Sequence, residues 1–200
     1  GYRRLYEVTG TIHRDITTQN MRFCRDVADG KVYGVLGDFD LPVPSNESTV
    51  KYRTRTMTYM AKDLLVADPP PHLYRHDLES FFYVLVFLTC QIPGSELEKW
   101  SAMSMSDLLT YKHKVFHKGL PPAKANFRAL RAKWVLSLMQ LFADGMTYNR
   151  IHGATVEIAD IEGTTAPQYD SVTLGGAVTF DKFAAILDAS VAPCTGSLCC

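Results

Sequence analysis

The chain has 200 residues, 46% hydrophobic and 21% charged, the composition of an ordinary globular protein with enough apolar material for one sizeable core. Its 21 Lys and Arg balance 21 Asp and Glu, so no net positive field argues for nucleic acid or an anionic membrane surface as a partner. The longest apolar run, Phe81 to Cys90, spans ten residues. That is half of the ~20 needed to cross a bilayer, so it reads as a buried helix and no membrane span is expected.

The opening residues, Gly1-Tyr2-Arg3-Arg4-Leu5-Tyr6-Glu7, lack the apolar centre of a secretory signal. Leu5, Tyr6, Val8 and Ile12 suit the end of a short helix. Met21–Cys24 and Val32–Leu36 are apolar and β-favouring, and the polar stretch between them ends in Asp29-Gly30, so a β-hairpin is predicted. Pro42 to Thr58 is rich in Ser, Thr and Pro and reads as a long loop. Leu73 to Ile92 is apolar nearly all round, the mark of a buried helix, with Pro93-Gly94 as its stop. Phe81, Phe82 and Tyr83 belong to its core.

An amphipathic helix is predicted over Ser106–His117. On it, His113 and His117 read as a solvated basic face with Lys112, Lys114 and Lys118 rather than a zinc pair, because the H-E-x-x-H pattern and a third ligand are missing. After Pro121-Pro122, a helix over about Ala123–Ala143 places Phe127, Leu130, Trp134, Leu138 and Leu141 on one stripe, with Gly145 as a fitting stop. Residues 146–178 show no clear period and read as irregular. Thr179 caps a last short helix that turns Phe180, Phe183, Ile186 and Leu187 inward. One hairpin followed by helices is not a doubly wound sheet, where the two would alternate. The fold class is therefore mainly α with a small β-hairpin.

Of the five cysteines, Cys24 and Cys90 sit alone, and Cys194, Cys199 and Cys200 lack metal-ligand spacing. A reduced, intracellular protein, cytoplasmic or nuclear, is expected. Cys199-Cys200 do not make a C-a-a-X box, since Ser197 holds the required position, and 193–200 reads as a tail.

Three motifs carry chemistry. His13-Arg14-Asp15-Ile16-Thr17-Thr18-Gln19-Asn20 fits H-R-D-x-x-x-x-N, the catalytic loop of protein kinases. The spacing has a chemical reason: an Asp must take or orient the proton of an acceptor hydroxyl, and an amide five residues on must ligate magnesium beside it. Eighteen residues after Asn20, across the predicted hairpin, stands Asp38-Phe39-Asp40, a D-F-G with its Gly replaced. Its first Asp occupies the position that holds magnesium against the phosphates. Arg53-Thr54-Arg55-Thr56-Met57-Thr58-Tyr59-Met60-Ala61-Lys62-Asp63 is similar to the end of a kinase activation segment, and Tyr74-Arg75-His76-Asp77-Leu78-Glu79-Ser80 then opens the apolar helix.

Together these stretches resemble the fungal-type protein kinase domain family, densely from Ile12 to about Ile92 and thinly from 93 to 178. The resemblance implies a kinase-like C-terminal lobe over 1–192, with catalytic loop 13–20, metal loop 38–40, activation segment 38–63 and buried helix about 74–92. It implies ATP and Mg2+ as cofactors and a protein Ser or Thr as acceptor. By position, Asp15 is the catalytic base, Asn20 and Asp38 bind the metal and the nucleotide, and Thr56 contacts Asp15 and positions the acceptor. His13 packs in the interior, and Phe39 has a structural or regulatory role. Arg14 could pair with a phosphorylated Ser45, Ser48, Thr49 or Thr54. Asp63 keeps a charge for an Arg that the sequence does not single out, and Asp77 holds the catalytic-loop backbone.

The sequence departs from the kinase pattern at Thr17, where many Ser/Thr kinases carry Lys, at Asp40, and at Arg55, Lys62 and Asp63 in place of Gly, Pro and Glu. No Gly-rich loop, strand Lys or pairing Glu stands before Ile12. The N-terminal lobe is expected to be absent from these 200 residues, which by themselves are expected to hold ATP weakly or not at all. The alternative is a non-catalytic pseudokinase or protein-binding module.

Overall fold

The structure, a computed structural model, describes residues 1–39, 57–91, 100 and 102–188. These residues are mainly helical, with one two-stranded antiparallel sheet among them, as the composition and periodicity predict. They form two compact units, residues 1–88 with 92–120 and residues 89–91 with 121–200.

The first unit begins with helix α1, Tyr2–Thr9, ended by Gly10 in the left-handed region at φ 69°. Tyr2 and Tyr6, four apart, share the face that packs on Phe81 and Tyr74, while Arg3 and Glu7 pair on the solvent side. Strands β1, Met21–Arg25, and β2, Val32–Leu36, pair in the register Met21↔Leu36 to Arg25↔Val32. The Asp26 amide donates to the Lys31 carbonyl, and Gly30 turns the chain at φ 69°. The hairpin stands largely in solvent, with Phe23, Val32, Tyr33 and Val35 exposed.

Helix α2, Tyr74–Thr89, is the centre of this unit. Residues 74–80 are all buried, as are Phe82, Tyr83, Val84 and Val86. It ends at Thr89, three residues before the expected Ile92, because Cys90 leaves the helix to form a β-bridge with Ala123. Pro93 and Gly94 lie outside the described residues. Helix α3, Met105–Lys118, starts where Ser104 Oγ accepts from the Asp107 amide, and it buries Leu108, Lys112 and Val115. Lys112 is thus in the core, not on the expected basic face.

In the second unit a 3₁₀ turn at Ala125–Phe127, an α turn at Arg128–Leu130 and a π segment at Arg131–Val135 lead into α4, Leu136–Glu162. The expected stop at Gly145 and the irregular reading of 146–162 are corrected here, while 163–178 is irregular as read. The helix runs 17 residues past Gly145 and ends at Gly163, whose φ is 67°. Gly145 is there for close packing: a Cβ on it would lie 2.9 Å from Leu174 Cδ1 and 3.0 Å from Val178 Cγ2. The second half of α4 leaves Tyr148, Ile151, Val156, Ile158 and Ile161 exposed, so it has no inward stripe for a periodicity argument to find. Helix α5, Phe180–Asp188, starts with the Lys182 amide donating to Thr179 Oγ1 and buries Phe183. Among the described residues, no helix is long and apolar enough to cross a membrane.

Candidate functional site

The segment from His13 to Asn20 has no regular structure of its own, so its backbone groups must be held by side chains. Asp77, near the start of α2, holds two of them. Its Oδ2 accepts from the His13 amide at 2.8 Å and its Oδ1 from the Arg14 amide at 3.1 Å. Arg14 sits at φ 71°, a left-handed conformation that a side chain normally resists. Two further donors reach the same carboxylate, Tyr2 Oη at 2.5 Å and His72 Nε2 at 2.9 Å. Burial alone would raise the Asp77 carboxyl; the donors from His72, Tyr2 and His13 overcome it and hold the group below its usual range. Burial, then the Asp77 charge, pushes the Tyr2 hydroxyl well up, so it remains a donor.

His13 links this anchor to the end of the hairpin. Its Nδ1 accepts from the Asp15 amide at 3.3 Å, which leaves the proton on Nε2 to reach the Gly37 carbonyl at 2.8 Å. Its ring meets the Phe39 ring edge-on at 4.5 Å. The Gly37 amide donates to the Asn20 carbonyl at 2.9 Å. The residue after Gly37 is Asp38, exposed and at φ 62°. Asn20 Nδ2 donates both to Asp15 Oδ2 at 3.0 Å and to the Asp15 carbonyl at 2.9 Å. The fold therefore joins Asp15 and Asn20 directly and sets Asp38 next to the backbone bond that closes the hairpin. Thr17 is buried, and its hydroxyl accepts from the Asn20 amide at 3.3 Å, so it braces the loop.

Past the undescribed stretch 40–56, which contains Thr56, Asp40, Arg55 and the candidate modification sites Ser45, Ser48, Thr49 and Thr54, the chain makes 3₁₀ turns at Met57–Tyr59 and Lys62–Leu64. Tyr59 Oη lies 3.4 Å from Thr18 Oγ1. Asp63 meets Arg75 Nη1 at 2.7 Å, which supplies the Arg that the sequence left unassigned. His76 Nε2 is 3.9 Å from the same carboxylate, an electrostatic contact rather than a hydrogen bond. Burial works to raise the Asp63 carboxyl, but His76 and Arg75 together hold it far below its usual range.

Several residues of this site lie outside the motifs. Tyr2 and His72 carry no motif signal. Lys112, on an amphipathic helix, carries none either, whereas Glu79 does, because an ionisable residue at a core position of an apolar helix calls for a counter-charge. Glu79 accepts from the Lys62 amide and from Tyr83 Oη, each at 3.0 Å, and Lys112 Nζ donates to the Met60 carbonyl. Among the described residues no group of three His, Cys, Asp or Glu is placed to hold a metal ion.

Residues 1–89 match the family model described as fungal protein kinase, which bears out over that stretch the family resemblance drawn from the motifs. No curated protein and no solved structure gives a match.

Proposed function

We propose that this chain carries the phosphoryl-transfer residues of a protein kinase that moves the terminal phosphoryl group of ATP to a Ser or Thr of a protein. The observation that carries the reading is the pair of hydrogen bonds that Asn20 Nδ2 donates to Asp15. It commits the amide nitrogen to the acid and leaves Oδ1, a hard oxygen, for a cation. Asn20 Oδ1 and the Asp38 carboxylate would hold magnesium, which supplies neutralisation of the charge on the phosphates. Asp15 accepts the proton of the acceptor hydroxyl and aims its oxygen. Asp77 and His13 keep Asp15 in place through the loop backbone, and Thr56 helps to position the acceptor.

The test uses the full-length protein that contains these residues. Asp15→Asn is expected to lower kcat at least ~100-fold, the usual contribution of a positioned base, with KM for ATP unchanged. Asp38→Asn is expected to abolish the magnesium dependence of ATP binding. A folded full-length protein that transfers phosphate equally well with Asn at position 15 would refute the reading.

A non-catalytic binding module is the second reading, and Thr17 favours it. With its hydroxyl bound to the Asn20 amide, position 17 offers the phosphates no cation. Under this reading millimolar Mg-ATP leaves Tm unchanged while a protein partner binds without nucleotide.

A further inference from the structure

We propose that Lys112 is a positioning residue for the acceptor-binding end of the activation segment, gripping the Met60 carbonyl from within the core with Glu79 as its counter-charge. What the segment does rests on the kinase reading; the grip rests on geometry alone. Lys112 is 1% exposed, and its ammonium donates to the Met60 carbonyl while lying 3.8 Å from the centre of the Tyr83 ring. Two residues along, the Lys62 amide donates to Glu79 Oε1 at 3.0 Å, and Tyr83 Oη donates to the same oxygen. A cation from α3 thus holds a carbonyl of the segment, and an anion from α2 holds an amide. The Lys62 side chain lies over the Phe116 ring of α3 at 4.9 Å. Tyr59, next to Met60, reaches Thr18 of the catalytic loop, so a displacement of Met60 is felt three residues from Asp15.

An ionisable cluster this deep is an expensive way to stabilise a core, and its best-attested use is to fix one arrangement over others. Here the arrangement fixed is the path of Met60 to Asp63. The groups that act on the Lys112 ammonium are Glu79 and the Tyr83 ring of α2 and Lys62 of the 3₁₀ turn. Burial, opposed by Glu79 and reinforced by Lys62, pulls Lys112 down to about 7, and burial raises Glu79. A charged donor makes a hydrogen bond roughly twice as strong as a neutral one. The grip therefore loosens as pH rises through neutrality.

Hydrogen exchange of the Met60–Leu65 amides tests this, with the β1–β2 amides as an internal reference. In Lys112→Met these amides are expected to lose protection ~10- to 100-fold, the worth of a bond to a charged group, while the hairpin amides keep theirs. In the unsubstituted protein the same protection is expected to fall as pH passes through about 7, a break that Lys112→Met removes. The pH series needs no variant, and Lys112→Met/Glu79→Gln avoids a stranded carboxylate should the single variant not fold. In the full-length kinase Lys112→Met raises KM for the protein acceptor and leaves KM for ATP unchanged. Equal protection changes in segment and hairpin overturn the proposal. A selective exchange effect in a protein that transfers no phosphate sinks the kinase reading and leaves the grip standing.

Discussion

Asp77 collects donors from four places in the first unit: the Tyr2 hydroxyl, the His13 and Arg14 amides and the His72 ring. The carboxylate is buried, and these bonds carry its charge. Removing one donor and removing the charge should therefore differ in size. Tyr2→Phe leaves three donors and the packing on Phe81, and is expected to lower stability by about 2 kcal/mol, the value of one bond to a charged group. Asp77→Asn turns a donor-only NH2 toward groups that also donate, leaving buried N–H groups unpaired. It is expected to cost about 3 kcal/mol or more and to free the left-handed Arg14. Urea denaturation measures both, and faster exchange of the His13 and Arg14 amides in Asp77→Asn locates the damage. Equal losses for the two substitutions would mean that the charge is not what the donors hold.

Helix α4 shows how an element can defeat a sequence reading. A Gly after a helical stripe is a sound stop signal when only the chain is considered, yet Gly145 lies inside the helix against Leu174 and Val178. Leu174 itself is buried at φ 54°, held in a conformation that branched packing rarely allows. Gly145→Val is expected to destabilise the second unit by about 3 kcal/mol through overpacking, although Val favours a helix over Gly by about 0.5 kcal/mol. A thermal melt of the variant decides it, and a raised Tm would restore the reading of Gly145 as a mere breaker. The π segment at Arg131–Val135 adds a residue to the turn, so the buried positions shift to Val135, Leu138, Phe142 and Gly145. The predicted stripe overlaps them only at Leu138. The hairpin and α2 are legible because Asp29-Gly30 and an apolar run are local signals. Asp15, Asn20 and Asp38 could be singled out because the kinase motifs fix those residue types at that spacing. Tyr2, His72, Arg75 and Lys112 act on residues 75, 5, 12 and 52 positions away, and no periodicity or motif links such pairs.

Over the whole molecule the formal charges cancel, so the pH dependence of stability comes from the few buried groups whose protonation differs between folded and unfolded chains. They cluster where α2 meets the loop segments of the first unit. Burial, helped by Arg75 and His72 and opposed by Asp63, pulls His76 from 6.5 to about 4. Between those values the unfolded chain binds a proton that the folded one refuses, so the His76 contribution is full above pH 6.5 and is lost as pH falls toward 4. At ~1.4 kcal/mol per pH decade the loss is about 3 kcal/mol. Asp63 and Asp77, both held low, keep their contributions until pH drops below the ordinary carboxylate range. Glu79 has the opposite sign: its raised carboxyl stabilises the fold at low pH and loses that effect as pH rises. The His76 share is isolated by difference. Exchange of the buried Phe82 and Val84 amides, read from pH 7 to 4, is expected to show a steeper loss of stability in the unsubstituted protein than in His76→Gln. Below pH 4 the two curves run parallel, because the aspartates remain in both. Parallel curves above pH 4 would mean that His76 takes up its proton in the folded state, with Asp63 3.9 Å away as the charge that lets it.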